Sequence, residues 1–419
     1  MASVFPFQPY RYTRAAGNLG DVVTEPYDKI TPAMQAAYLA RSPYNLVRVL
    51  LGERFPEDDY ANNVYTRAAA YLDAWIAAGI LARESVPAFY AYFQEFTLPD
   101  TGERLVRKGF IGLGAVVDYS DKIVHRHEQT LSGPKKDRME LLRHTRAHFG
   151  QIFMLYPDPH GAIDTLLDAV ASQAPDGEVT DEYQAAHRIW KIADPALIKE
   201  IHHRMLDKKL LIADGHHRYE TALAFRNENP DLPGVDKVMM TFVNMHSLGL
   251  KILATHRLIS GLASFNAAAL LAKIPDRFTF RKLASPGALK QELALPVPEL
   301  VRIGLAAGAD GLYLLEAVRR DGDLDVRILH HELLDGALGI GEDAVREEKF
   351  LRYVRGLDAA LDEVRQGQAQ AGFLLQPTTI DQVAGVALSG GVMPQKSTDF
   401  YPKLLSGLTI YKLAASTSV

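Results

Sequence analysis

The chain has 419 residues, 47% of them hydrophobic and 23% charged, with a formal net charge of −5. That is too long for one ordinary domain, and the composition is that of a globular protein with charges of both signs interspersed, which argues against nucleic acid as the main partner. The absence of cysteine excludes disulfides, thiol catalysis and cysteine-held zinc or iron–sulfur sites.

No run approaches the eighteen or so apolar residues of a membrane span, and MASVFPFQPYRYT lacks a basic-then-apolar leader pattern. The cytoplasm is the expected compartment. In chain order, residues 5–30 are rich in turn formers and carry VVTEPYDKI. Thr31 with Pro32 opens a helix. Asn45–Leu51 reads as a strand, and Tyr60–Ala78 has helical periodicity ending at Gly79. Phe89–Phe96 and Arg107–Val117, joined by LPDTGE, predict an antiparallel hairpin. Asp121–Pro134 is polar and irregular, Asp137–Phe149 a basic amphipathic helix, Ile152–Leu155 a strand and Gly161–Ser172 a helix. Gln173–Thr180 reads as a linker leading into Tyr183–Ile192. The helix Pro195–Leu206 then delivers the chain to the strand Leu210–Ala213, the turn Asp214–Gly215 and a helix to about Asn227. Lys237–Asn244 and Leu250–Thr255 are extended, residues 265–329 alternate helix and strand, and His330–Arg365 reads as mostly helical. Phe373–Leu375 is a strand and Thr379–Leu388 a helix, before the loop GGVMPQKSTDFYPKLLSGL. Strands alternate with helices but hairpins intervene, so the expected fold is mixed α/β with partly antiparallel sheets. The expected division is 1–172, 181–260 and 261–419.

LLIADGHHRYETALAF, residues 210–225, concentrates Asp214, His216, His217 and Arg218 behind a buried strand, beside a helix N-terminus that favours anions. Arg218 offers a bidentate fork for phosphate, the histidines suit proton transfer or phosphoryl contacts, and Asp214 suits a hard cation such as magnesium. Lys396, Ser397, Thr398, Tyr401 and Lys403 follow a Gly–Gly pair and suit an anion such as a triphosphate, although no Walker A spacing is present. Lys135 and Arg138 read as basic contacts from a charged flap. His125, His127 and Glu128 form an H-x-H-E run that would suit a transition metal. Ser132–Lys135 matches S-x-x-K without the companion motifs of serine acyl-transferases, and Gly112 and Gly114 lack the rest of a dinucleotide fingerprint. Glu25 or Asp28, on either side of Pro26 and Tyr27, would serve as a general base. Asn45, Arg48, Asn244, His256 and Arg257 are further polar residues at or near strands.

EPYDKI (Glu25–Ile30), SPYNLVRV (Ser42–Val49), HEQTLSGPKKDR (His127–Arg138), IADGHHRYETAL (Ile212–Leu223), THRL (Thr255–Leu258) and MPQKSTDFYPKLLSGL (Met393–Leu408) together resemble a bacterial and archaeal family known as a domain of unknown function. The strand, DGHHR turn and helix are more distantly similar to the nucleotide-binding core of the ParB/sulfiredoxin superfamily, which includes free L-serine kinases. That resemblance implies that Asp214, Gly215, His216, His217 and Arg218 hold phosphates, metal and substrate, with ATP, ADP or another nucleotide and Mg2+ as cofactors. It implies a phosphotransferase acting on a small hydroxyl metabolite, L-serine first. A nucleotide-binding regulatory protein is the alternative it also allows. The histidines leave a third open, a metal-dependent hydrolase using His125, His127, His216 and His217.

Overall fold

The apolar runs of the first 250 residues lie side by side in one mixed sheet of nine strands. In the computed structural model, which describes residues 1–128 and 132–414, these are β1 (Val4–Phe5), β2 (Phe89–Thr97), β3 (Arg104–Ala115), β4 (Val124–His125), β5 (Ile152–Tyr156), β6 (Gly177–Thr180), β7 (Ala186–Ile192), β8 (Leu210–Asp214) and β9 (Lys237–Asn244). Their order is β4-β8-β5-β9-β3-β2-β7-β6, with β1 against the C-terminal end of β3. β8 runs parallel to β4 and β9 parallel to β5, while the other pairings are antiparallel. Phe89, Phe110 and Phe242 are fully buried in the core, Phe110 and Phe242 stacking at 5.0 Å. Each such side chain contributes roughly 2–3 kcal/mol by burial.

α1 (Pro32–Arg41), α2 (Val47–Leu50), α3 (Val64–Ala77) and α4 (Ser132–Thr145) pack successively on one another, while α5 (Ala162–Ala171), α6 (Pro195–Met205) and α7 (His216–Glu228) pack against this sheet. Thr31 caps α1, its side chain accepting from the Met34 N–H. Asn63 and Thr66 form a reciprocal capping box on α3, which satisfies two N–H groups the helix cannot bond itself.

The chain divides into two compact units. The first comprises Met1–Leu98, Glu103–Leu250 and the segment from Pro402; the second comprises Pro99–Gly102 and Lys251–Tyr401. The three-part division expected from sequence is drawn differently, because strands on both sides of the 172–181 interval share the nine-stranded sheet. In the second unit β10 (Thr255–Ile259), β11 (Phe278–Leu283), β12 (Leu300–Ala306), β13 (Leu312–Val318), β14 (Leu351–Arg355) and β15 (Ala371–Leu375) form a six-stranded sheet in the order β11-β13-β12-β15-β10-β14. All its pairings are antiparallel, and α8 (Pro286–Ala294) and α9 (Leu357–Arg365) pack against it, with α10 (Ile380–Leu388) following β15 in the chain.

Four local expectations change. The strand at Asn45–Leu51 is the short helix α2, because the Asn45 side chain accepts from the Val47 N–H at 2.9 Å and turns the chain. The linker ends in β6, which pairs with β7. The helical region His330–Arg365 is interrupted by β14, an edge partner of β10. The helix expected over Asp137–Phe149 spans Ser132–Thr145, and Ala147–His148 pairs instead with Tyr411–Lys412. Residues 129–131 of the expected irregular segment lie outside the described residues. Among the described residues, no helix is long and apolar enough to cross a membrane.

Candidate functional site

Four segments far apart in sequence meet at the C-terminal end of β8. Thr24 and Ser406 exchange backbone hydrogen bonds at 3.1 and 2.8 Å, and the Gly407 N–H donates to the Phe149 carbonyl at 3.2 Å. This lays the EPYDKI loop and the PKLLSG segment beside residues 149–151 and the DGHHR turn. The turn itself depends on Gly215, whose φ of 94° is a conformation that side chains resist. A Cβ there would come within 3.0 Å of the Arg218 Nε, and one on Gly150 within 3.1 Å of its Nη1. Both glycines thus let the guanidinium fold back over the turn.

Arg218 Nη2 donates to Asp214 Oδ2 at 2.7 Å and its Nη1 donates to the Gln151 carbonyl. The Lys403 Nζ lies 3.4 Å from the other carboxylate oxygen. Burial alone would raise the Asp214 carboxyl, but Lys403, Arg218 and Lys29 together hold it well below the usual carboxylate range. Asp214 is therefore ionised at any working pH, and a carboxylate so stabilised makes a poor proton acceptor.

The histidines behind the turn are neutral. His127 donates from Nδ1 to the Ile212 carbonyl at 2.8 Å and packs edge-on to His216 at 4.7 Å. Burial pushes His127 down to about 4 and His216 well below its ordinary value, the latter also opposed by the charge of His127. His216 is buried and accepts the His127 N–H at 3.4 Å. It supports the turn rather than supplying charge. His217 is half-buried at the helix start.

In front of Arg218 opens a cleft lined by Pro26, Tyr27, Leu50, Leu141, Phe149 and other apolar groups, with Arg138, His148, Arg218, Thr221 and Ser406 as polar features. Arg138 lies 4.1 Å over the Tyr27 ring and donates to the Leu50 carbonyl and to Asp137. Burial first, and then the charge of Asp28, pushes the Tyr27 hydroxyl up to about 12, while Arg138 and Arg218 pull it down. The Thr221 hydroxyl is buried in this wall without a hydrogen-bond partner among the described residues.

The other candidate residues fall in several places. Glu25 is buried and Asp28 exposed. Lys135 pairs with Glu220 on α7. His125 engages the Lys122 carbonyl at 3.1 Å. Lys396, Ser397 and Thr398 belong to the second unit, where Ser397 lines a different cleft. Asn45 Oδ1 accepts the Val47 N–H just ahead of α2, Arg48 donates to the Leu39 carbonyl at 2.8 Å, and Asn244 donates to the Asp158 carbonyl at 2.7 Å. These three are structural. The metal expected at Asp214 does not fit, since nitrogen cations face both carboxylate oxygens. Among the described residues, no group of three or more His, Asp or Glu side chains could hold a metal ion. Among the described residues, His125, His127 and Glu128 form no such group. The charge balance of the site suits an anion.

Sequence reasoning missed what holds Lys403 in place. The fully buried Arg107 donates to the Gln94 side chain and to the Pro402 carbonyl, and Gln94 Nε2 donates to the Lys403 carbonyl at 2.7 Å. Gln94 lies 3.3 Å from His187, which bonds Tyr92 at 2.7 Å and Asp181 at 3.0 Å. Tyr92 in turn accepts the Leu405 N–H at 3.3 Å. Arg107 shares β3 with Arg104 and Lys108, so the sequence did not mark it as the buried one.

A family model described as a protein of unknown function (DUF1015) matches residues 4–359, so the chain belongs to that family. No curated protein matches the sequence. Among solved structures, the chain is similar to a conserved hypothetical protein from Pyrococcus furiosus, at 13% identity over 67% of this chain and 87% of that one, TM-score 0.33. It is also similar to a variant free serine kinase in complex with AMP, at 12% identity over 69% and 89% of the two chains, TM-score 0.37. A third is a C-terminally truncated SbnI from Staphylococcus aureus, at 12% identity over 71% and 87%, TM-score 0.36.

Proposed function

We propose that this DUF1015 protein is a nucleotide-dependent phosphotransferase acting on a small hydroxyl metabolite, with L-serine the first candidate that the DGHHR resemblance implies. The observation that carries the reading is the carboxylate of Asp214 clamped between Lys403 and Arg218 at the start of α7, next to the half-apolar cleft. Phosphoryl transfer needs positioned cations around the phosphates and an oriented hydroxyl more than it needs covalent help. Arg218 and Lys403 supply the positive charge, which Asp214 balances until the phosphates compete for it. The apolar walls at Leu50, Leu141 and Phe149 suit a base or ribose face. The substrate oxygen attacks the terminal phosphorus, the bond to the nucleotide oxygen breaks, and the hydroxyl proton passes to a carboxylate. Glu25 is the acid we assign to that step, since its charge acts on Tyr92, whose hydroxyl meets the Leu405 N–H beside Lys403.

A nucleotide-binding protein without turnover is the second reading. It is favoured by the ion pairs that already occupy Asp214. Thermal shifts with ATP, ADP, AMP and CTP, followed by mass-spectrometric assay of O-phosphoserine from L-serine, test both. Stabilisation with product supports the transferase, and stabilisation without product supports the binding protein. Neither stabilisation nor product overturns both. Lys403→Met and Arg218→Met should each lower turnover about a hundredfold, the typical cost of losing one electrostatic contact in a transition state, and Glu25→Gln should lower kcat more than KM.

A further inference from the structure

We propose that the second unit carries a binding site of its own for a small oxyanion, a phosphate or carboxylate group, centred on Arg257 in the cleft beside β10 and β15. Arg257 sits in the middle of β10, opposite Tyr353 of β14 and Phe373 of β15. It is fully buried, at 1% exposure, yet it lines a small cleft with Thr255, Asp325, Thr378, Gln382 and Ser397.

Its guanidinium reaches backbone carbonyls. Nη1 donates to the Thr255 carbonyl and Nη2 to that of Lys396 at 3.1 Å, while Nε finds no acceptor among the described residues. No carboxylate stands among the groups whose charge acts on it. Burial lowers Arg257 to about 10, countered by Tyr353, and the imidazoles that feel its charge, His256 and His330, are themselves held neutral by burial. The carboxylate lining the cleft, Asp325, is ion-paired to Arg319 at 2.6 Å. A buried cation without a counter-charge is costly, and the cost falls away when an anion fills the adjoining space.

The lining supplies a second donor. Gln382 Oε1 accepts the Thr379 N–H at 3.0 Å, so its amide nitrogen is the end left to face a ligand. The Thr378 and Ser397 hydroxyls donate to the carbonyls of Ser397 and Pro394, which fixes the KST loop against the cleft. A guanidinium with an unused N–H and a carboxamide donor at the edge of one small space match two oxygens of a single oxyanion.

The full-length protein titrated calorimetrically with inorganic phosphate, and separately with acetate, tests this site apart from the transferase reading. Because phosphate can also bind at Lys403 and Arg218 in the first unit, the wild-type titration should show, for at least one of the two probes, a binding event that survives in Lys403→Met. Arg257→Gln should weaken that binding tenfold or more, and Gln382→Leu severalfold. If circular dichroism shows that Arg257→Gln does not fold, Gln382→Leu decides. Binding of phosphate over acetate, or the reverse, identifies the group. Failure of the wild type to bind either probe, or binding unchanged in Gln382→Leu and in any folded Arg257→Gln, would overturn the proposal.

Discussion

Arg218 in the first unit and Arg257 in the second both reach backbone carbonyls at the edge of a cleft, but only Arg218 is paired with an acid. The Asp214 carboxylate takes up its charge together with that of Lys403, whereas Arg257 meets Thr255 and Lys396 carbonyls. The difference teaches how each cleft would treat an anion. In the first, an incoming phosphate competes with Asp214, so binding is paid in broken ion pairs and gains precision of placement. In the second, an anion adds the counter-charge that the fold leaves out.

Asp214→Asn breaks this comparison most strongly, because it gives the first cleft the electrostatics of the second. It leaves Lys403 and Arg218 without their shared carboxylate. Removing one partner of a buried pair costs about 3–5 kcal/mol, and with the Asp214 side chain 23% exposed the lower end, about 3 kcal/mol, is expected in denaturant unfolding. Anion affinity should move the other way, phosphate binding more tightly to the variant than to wild type. Loss of both stability and anion affinity would show that Asp214 positions the cations rather than competing for them.

Acid reads both units at once. His127 and His256 are buried neutral with values lowered to about 4, below the ordinary value of about 6.5. Between those values the unfolded chain binds more protons than the folded one, so their contribution is intact above about pH 6.5 and is lost as pH falls toward 4. Each group withdraws up to about 3 kcal/mol by the time pH has passed its folded value. Asp214, also lowered, adds its loss only below about pH 4. Unfolding free energies from pH 7 to 4 that stay flat would contradict the buried neutral histidines in both units.

Much of the fold was legible because its signals are local. LPDTGE between two β-rich runs gives the β2–β3 hairpin, Thr31–Pro32 gives the start of α1, and four apolar residues before Asp-Gly give the β8 turn. Residues 47–50 misled because LVRVL alternates like a strand, while the deciding event is one side-chain bond from Asn45. β14 was hidden by helix formers on both sides. For the site, the DGHHR turn was visible as a cluster of charge, but Lys403 joins it across 189 positions and no spacing rule reaches that far. Arg107 and Gln94 are direct cross-strand partners in the hairpin, a pairing that requires the register and not merely the strands.

Gly215→Ala sharpens the comparison with a smaller effect. A side chain at φ 94° carries about 1–2 kcal/mol of backbone strain, and the added methyl meets the Arg218 guanidinium. Stability should fall by about that amount, with nucleotide-induced stabilisation reduced in parallel. Gly385, inside α10 with open space around its Cβ position, is the control: alanine there should stabilise by up to about 1 kcal/mol.

Thr221→Val is the finest of these tests. The hydroxyl is 4% exposed, lines the first cleft and has no hydrogen-bond partner among the described residues, so it carries a desolvation cost without a compensating bond. Replacing it with a methyl should leave stability unchanged or raise it by about 1 kcal/mol. If the cleft holds a nucleotide, the same hydroxyl gains a partner on binding, and the variant should lose affinity by severalfold while its own melting temperature holds or rises. A variant that binds nucleotide as well as wild type would place the ligand away from α7, and Arg218 would then be a structural clamp on the turn rather than part of an anion pocket.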